Sequence, residues 1–257
     1  MASSTSVSDH GQRAGPGQEW TRVRRKGRRH LKHQATSSPG LDCPFPGPKP
    51  RQPFLSLSDI QSEHQRIRYQ WESSTCCCRL REIITSRIDY SGVSQAICFG
   101  LGSFDPENGS WEARRSAHVQ LAAFLCIVEQ LQHGSPQKIG CLFQEPLFNS
   151  VDRAFLQSLG HEIVDSPQGF DRVTPSTLVF GIHLYRDIYN QTVAKHLPAM
   201  FVGTSYDVWE EFRGFSQSEF AKMKELDDQC VKVEFPEDPG YATFSSTTIH
   251  WKRQDET

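Results

Sequence analysis

Three observations in this 257-residue chain predict an α/β fold. Its core is a mainly parallel sheet of about five or six strands with helices on both faces. From residue 95 onward, short apolar runs alternate with segments of helical periodicity, the order that winds a parallel sheet. The first run, Ala96-Ile97-Cys98-Phe99, stops at Gly100-Leu101-Gly102-Ser103 and feeds a long helix. A buried strand ending in a glycine turn before a helix opens a Rossmann-like unit. That helix carries Ala117, Leu121, Phe124, Leu125, Val128 and Leu131 on one face of a 3.6-residue period.

The elements follow in order. Residues 1–53 are rich in Gly, Pro, Ser and charge and are expected as a disordered basic N-terminal tail. Within it, Trp20–Arg29 (W-T-R-V-R-R-K-G-R-R) reads as a solvated basic segment, with nuclear import or RNA contact as the sharper alternative. Residues 54–94 form a helical lead-in to an α/β domain spanning 54–235. Ser58-Asp59 starts a first helix carrying Ile60, Ile67 and Trp71. A second, Cys76–Ile88, lines up Leu80, Ile83, Ile84 and Ile88. Cys76, Cys77 and Cys78 pack there as small apolar residues. No further ligands at metal-binding spacing lie nearby, so no metal site is assigned.

Strands are expected at Ala96–Phe99, Lys138–Phe143, Glu162–Val164, Thr177–Ile182 and Met200–Gly203. Ser110 caps the long helix to about Gln132. Ser150–Leu159 is helical with Gly160 as its C′ residue. A further helix runs near Asp187–His196. Tyr206–Arg213 and Ser216–Leu226 are two more helical pieces, and Cys230–Phe235 is an antiparallel edge strand. Residues 236–257 are expected as a C-terminal tail, with Phe244–Trp251 left unassigned.

Composition excludes some functions. Apolar content is 37% and no apolar run approaches bilayer length. The Ser-rich Met1–His10 lacks an apolar core, so no secretory signal is expected. The eight cysteines lack framework spacing and read as reduced thiols, giving a cytoplasmic or nuclear protein. Residues 1–53 hold ten Lys/Arg and three Asp/Glu, a net of +7; residues 54–257 hold 18 basic and 27 acidic groups, a net of −9. An acidic body repels phosphate, so any nucleic-acid contact falls to the tail.

Ligands of open α/β sheets bind outside the carboxyl ends of the strands. Gly100 and Gly102 let backbone amides approach an anion, and Ser103 adds a hydroxyl. Arg114 lies in the first helical turn, where a bound anion favours it. Gln144 and Glu145 follow the second strand, and Glu145 can hold a ribose diol. His183, with Asn190 in the next helix, and Ser205 follow the fourth and fifth strands. His183 and Glu145 are the candidate catalytic groups, since an imidazole exchanges protons near neutral pH. The third glycine of the dinucleotide fingerprint is missing, and no nucleophile elbow, Walker lysine or zinc signature occurs. Whether the chain is an enzyme stays open, and no cofactor is assigned.

The runs I-C-F-G-L-G-S-F, A-x-x-Q-L-A-A-F-L (Ala117–Leu125), Q-E-P-L-F (Gln144–Phe148), L-G-H-E-I-V and T-L-V-F-G-I-H together resemble the SRR-like ("sensitivity to red light reduced") domain family. W-T-x-V-x-R-x-G-R-R resembles its N-terminal basic motif. The family pattern has Asp where Glu145 stands, Cys where Leu184 follows His183, and Asn-Ser at Thr204-Ser205. The resemblance implies a regulatory protein acting through partners or a small ligand, in circadian, light-linked or haem-linked regulation. The alternative is an enzyme binding a nucleotide or S-adenosylmethionine at Gly100–Ser103. Cys43-Pro44 has the form of a haem-regulatory dipeptide, but chance supplies about 0.5 of these in such a chain. No haem site is read from it.

Overall fold

The computed structural model describes residues 54–87, 92–210, 221–238 and 240–253. The N-terminal tail, its basic segment Trp20–Arg29 and Cys43-Pro44 lie outside the described residues, as do residues 211–220. Two helices lead in. Helix α1 (Leu57–Glu72) starts one residue before Ser58, because Ser56 and Asp59 form a capping box: the Asp59 amide donates to Ser56 Oγ and the Ser56 amide to the Asp59 carboxylate. Helix α2 (Thr75–Thr85), capped by Ser74, buries Cys76, Cys77, Leu80 and Ile84 and leaves Cys78 exposed.

The sheet elements are β1 (Gln95–Phe99), β2 (Gly140–Gln144), β3 (Glu162–Ile163), β4 (Thr177–Phe180), β5 (Met200–Thr204), β6 (Cys230–Glu234) and β7 (Thr247–Lys252). They line up in the order β3-β2-β1-β4-β5-β7-β6. Pairs β1–β2, β2–β3, β1–β4 and β4–β5 are parallel, while β7 is antiparallel to both β5 and β6. Seven strands replace the expected five or six. The additional one lies in the segment expected as a tail: β7 sits between β5 and β6, pairing Met200 with Trp251 through Thr204 with Thr247. Burial explains the placement, since Thr247, Ile249 and Trp251 are all enclosed.

Side chains alternate across the sheet as the pleat requires. Ala96, Cys98, Phe143, Phe180 and Val202 face a core built with α1, α2, α3 (Trp111–Gln132) and α4 (Ser150–Ser158). Ile97, Phe99, Val179 and Phe201 face a second core with a 3₁₀ turn at Gln168–Arg172, α5 (Arg186–Val193) and α7 (Ala221–Gln229). Helix α6 (Tyr206–Glu210) follows β5. Helix α3 begins after Ser110 and ends at Gln132, as its cap and apolar stripe predict. The strand order reverses at β1: β2 lies on one side and β4 on the other, which sets the topological switch point between β1 and β4. No helix among the described residues is long and apolar enough to cross a membrane.

Candidate functional site

The turn after β1 needs its glycines. Gly100 and Gly102 have φ of +67° and +81°, a region other residues enter at a cost. Both glycine amides and that of Phe104 are already engaged. Gly102 N–H donates to Glu145 Oε2 at 2.9 Å, Gly100 N–H to the Gln144 carbonyl at 3.2 Å, and Phe104 N–H to Asp152 Oδ1 at 3.0 Å. Glu145 is buried and also accepts from Leu147 N–H at 2.9 Å. At the expected anion cradle a carboxylate takes one of the amides, and its charge opposes a phosphate placed there.

The neighbouring candidates are drawn into the scaffold. Ser103 Oγ donates to Asp152 Oδ2 at 2.7 Å and accepts from Asp105 N–H at 3.0 Å. Gln144 Oε1 accepts from Gly169 N–H at 2.7 Å, tying β2 to the 3₁₀ turn. Arg114 reaches Glu63 on α1 at 3.0 Å, an interhelix ion pair rather than a contact with the turn. Apart from Asp105, two residues from Ser103, these partners lie 25 to 51 residues away, and sequence distance hid them.

The switch-point crevice itself is filled. Leu184, in the loop after β4, packs its methyls where a Cβ on Gly100 or on Gly181 would stand. Beside it a cleft of about 590 Å³ opens at the carboxyl ends of β4 and β5. His183, Arg186, Thr204, Trp209 and Ser246 are among its lining residues. His183 and Ser246 have φ of +52° and +54°, the two non-glycine residues in that region among those described. Each such residue costs on the order of 1–3 kcal/mol, and strain of this kind gathers at ligand sites. Ser205 is buried next to Thr204, and Asn190 is half-buried on α5; neither lines the cleft. Ser246 was invisible to sequence reasoning because β7 had not been recognised.

The floor is held by Tyr189. Its hydroxyl donates to the Gly181 carbonyl at 3.1 Å and accepts from Thr204 N–H, joining the ends of β4 and β5. Burial pushes the phenol upward, so it stays a neutral donor.

A charged cluster joins α6, α7, β6 and β7. Asp227 on α7 meets Lys232 Nζ at 2.5 Å and lies 3.3 Å from His250 Nε2 on β7; Lys232 also reaches Asp207 on α6 at 3.2 Å. Burial pushes the Asp227 carboxyl up, but the hydrogen bonds from His250 and Lys232 outweigh it and hold the group at about 2. A lowered folded-state value contributes stability above the ordinary 3.8 and loses it as pH falls towards 2. After discounting for the part-exposed lysine, about 1–2 kcal/mol is at stake. Urea denaturation of Asp227→Asn should show that deficit at pH 7, narrowing between pH 4 and pH 2. A pH-independent deficit would sink the assignment.

A second buried pair lies on the opposite face. His64 Nδ1 and His118 Nδ1 are 3.3 Å apart among Phe104 and Phe155, and burial lowers them to about 4 and about 3. Among the described residues no group of three or more His, Cys, Asp or Glu converges as metal ligands.

Comparison with known proteins gives three findings. No curated protein matches the chain by sequence. Among solved structures, a DUF574 family protein from Streptomyces avermitilis is 11% identical, with 77% of this chain and 87% of that chain covered at a TM-score of 0.32. A provisionally assigned methyltransferase from Thermobifida fusca is 12% identical, with 77% and 84% covered at a TM-score of 0.32. The SRR1 domain model matches residues 80–251, from within α2 to the next-to-last residue of β7. That match takes in the glycine turn, the cleft and the inserted strand, and more than half of the sequence, so the chain belongs to the SRR1 domain family.

Proposed function

We propose that this SRR1-domain chain is a regulatory protein that holds a small ligand in the His183–Ser246 cleft and transmits its occupancy to protein partners. The observation that carries the reading is the pair of positive-φ residues, His183 and Ser246, lining one cleft at the carboxyl edge of the sheet. Strain at two walls of one cavity is what a pre-organised ligand site stores. The family resemblance supplies the setting, light-linked or haem-linked regulation in cytoplasm or nucleus.

The second reading, an enzyme holding a nucleotide or S-adenosylmethionine at Gly100–Ser103, keeps one favourable observation. Glu145 directly follows β2 and is fixed against the turn, where a ribose-binding acid belongs. Leu184 in the crevice and the occupied amides count against it.

A thermal-shift panel of nucleotides, S-adenosyl compounds and haem on the full chain tests the first reading. A ligand at 100 times its Kd adds about 2.7 kcal/mol of stability. His183→Gly and Ser246→Gly remove each side chain while accepting the backbone angle. Both should abolish the shift without lowering the unliganded melting temperature. A panel in which nothing shifts the wild type overturns the reading.

A further inference from the structure

We propose that Leu184 is the specificity-determining residue of this edge: it fills the switch-point crevice and bars nucleosides from the glycine turn, leaving only the adjoining cleft open. The inference rests on the ligand-binding reading above. Leu184 is buried although its neighbours His183 and Tyr185 are exposed, Tyr185 by 85%. The loop therefore turns one apolar side chain inward between two outward ones. The backbone of His183, at φ +52°, sets that direction.

What Leu184 meets is equally specific. Gly100 and Gly181, at the ends of adjacent strands β1 and β4, both lack the Cβ that would collide with its methyls. Strand β1 lies between β2 and β4, so two residues grip the same turn from two sides. Leu184 reaches it at Gly100 from the β4 side, and Glu145 at Gly102 from the β2 side. Removing the leucine side chain opens the crevice along a turn whose other flank is a carboxylate.

The chemistry of that flank names the ligand class. A carboxylate taking two amides retains lone pairs for hydroxyl donors, and its charge disfavours phosphate. Arg114 is paired with Glu63 and supplies no compensating cation. The site behind Leu184 thus suits an uncharged or cationic nucleoside with a vicinal diol, not a nucleotide.

The test compares the full-length wild type with Leu184→Ala, using adenosine and ADP as probes in calorimetric titration and thermal shift. Each variant is read against its own unliganded melting temperature. Leu184→Ala should bind adenosine about tenfold more tightly than wild type, with a smaller gain for ADP. Glu145→Gln in the Leu184→Ala background should remove the gain. Leu184→Val, which keeps most of the packing, should fall between and serves if the alanine variant does not fold. Equal adenosine affinities in wild type and both variants, or a gain that survives Glu145→Gln, overturn the proposal. Failure of the cleft reading appears instead in the wild-type panel and the His183→Gly variant.

Discussion

Asp152→Ala should lower the melting temperature by about 10 °C, the product of about 3–5 kcal/mol lost and about 2–4 °C per kcal/mol for a domain of this size. Asp152 is fully buried. Its carboxylate takes Ser103 Oγ at 2.7 Å, Phe104 N–H at 3.0 Å and Asn149 N–H at 3.0 Å. One side chain therefore closes the capping box of α4 and pins the loop after β1. Alanine strands two backbone amides and a hydroxyl in a buried site, each without its acceptor. Burial pushes the Asp152 carboxyl upward against its three donors, so the charge itself is part of the cost. Asp152→Asn, which keeps one acceptor oxygen and discards the charge, should consequently lose about half as much or less. Circular dichroism melting of the three proteins checks both. A loss under about 2 °C for the alanine variant would mean the loop is held by packing alone.

The particular elements show which information was local. Helix α3 was legible to the residue because its start is a serine whose hydroxyl accepts from Ala113 N–H and its interior is a continuous apolar stripe. The capping box at Ser56 and Asp59 was also readable, and Ser58 was the nearer but wrong start. Strand β7 was not legible. Its partner β5 lies more than 40 residues earlier, and its burial comes from insertion between two strands rather than from its own sequence. The glycine turn was legible as backbone, while the partner of its amide was not. Its φ values follow from Gly100 and Gly102, but the occupant of its amide is Glu145, 43 residues on. A pattern that permits an anion site also permits a buried carboxylate to sit there.

The same logic separates scaffold from site at the carboxyl edge. Ser103, Gln144 and Arg114 each have partners within the protein, so substituting them changes stability before it changes binding. His183 and Ser246 accept backbone strain, so glycine there relieves a cost while removing a side chain. Opposite signs in stability for the two groups of variants distinguish residues that hold the site from residues that belong to it.

Gly203→Ala should cost about 3–5 kcal/mol, and most of that cost should run through one hydroxyl. A Cβ at Gly203 falls on the Tyr189 hydroxyl, 2.8 Å from the Gly181 carbonyl oxygen and 2.9 Å from Phe201 Cε1. Tyr189 has nowhere to go. It is fully buried, its ring lies 5.3 Å from Phe201 and 5.8 Å from Trp209, and its hydroxyl is committed to Gly181 and Thr204. Tyr189→Phe alone should cost about 1–3 kcal/mol, because it leaves a carbonyl and an amide unpaired. In that background Gly203→Ala has already lost its nearest obstacle, and only the Gly181 oxygen and the Phe201 ring still resist. The double variant should therefore be at least about 1 kcal/mol more stable than the two single losses added together. Urea denaturation of the four proteins measures the cycle. Strict additivity would mean that Gly203 makes room for the backbone of β4 and not for Tyr189. Non-additivity would tie the glycine on β5 to the tyrosine that sets the spacing of Gly181 and Thr204, and so to the floor of the cleft.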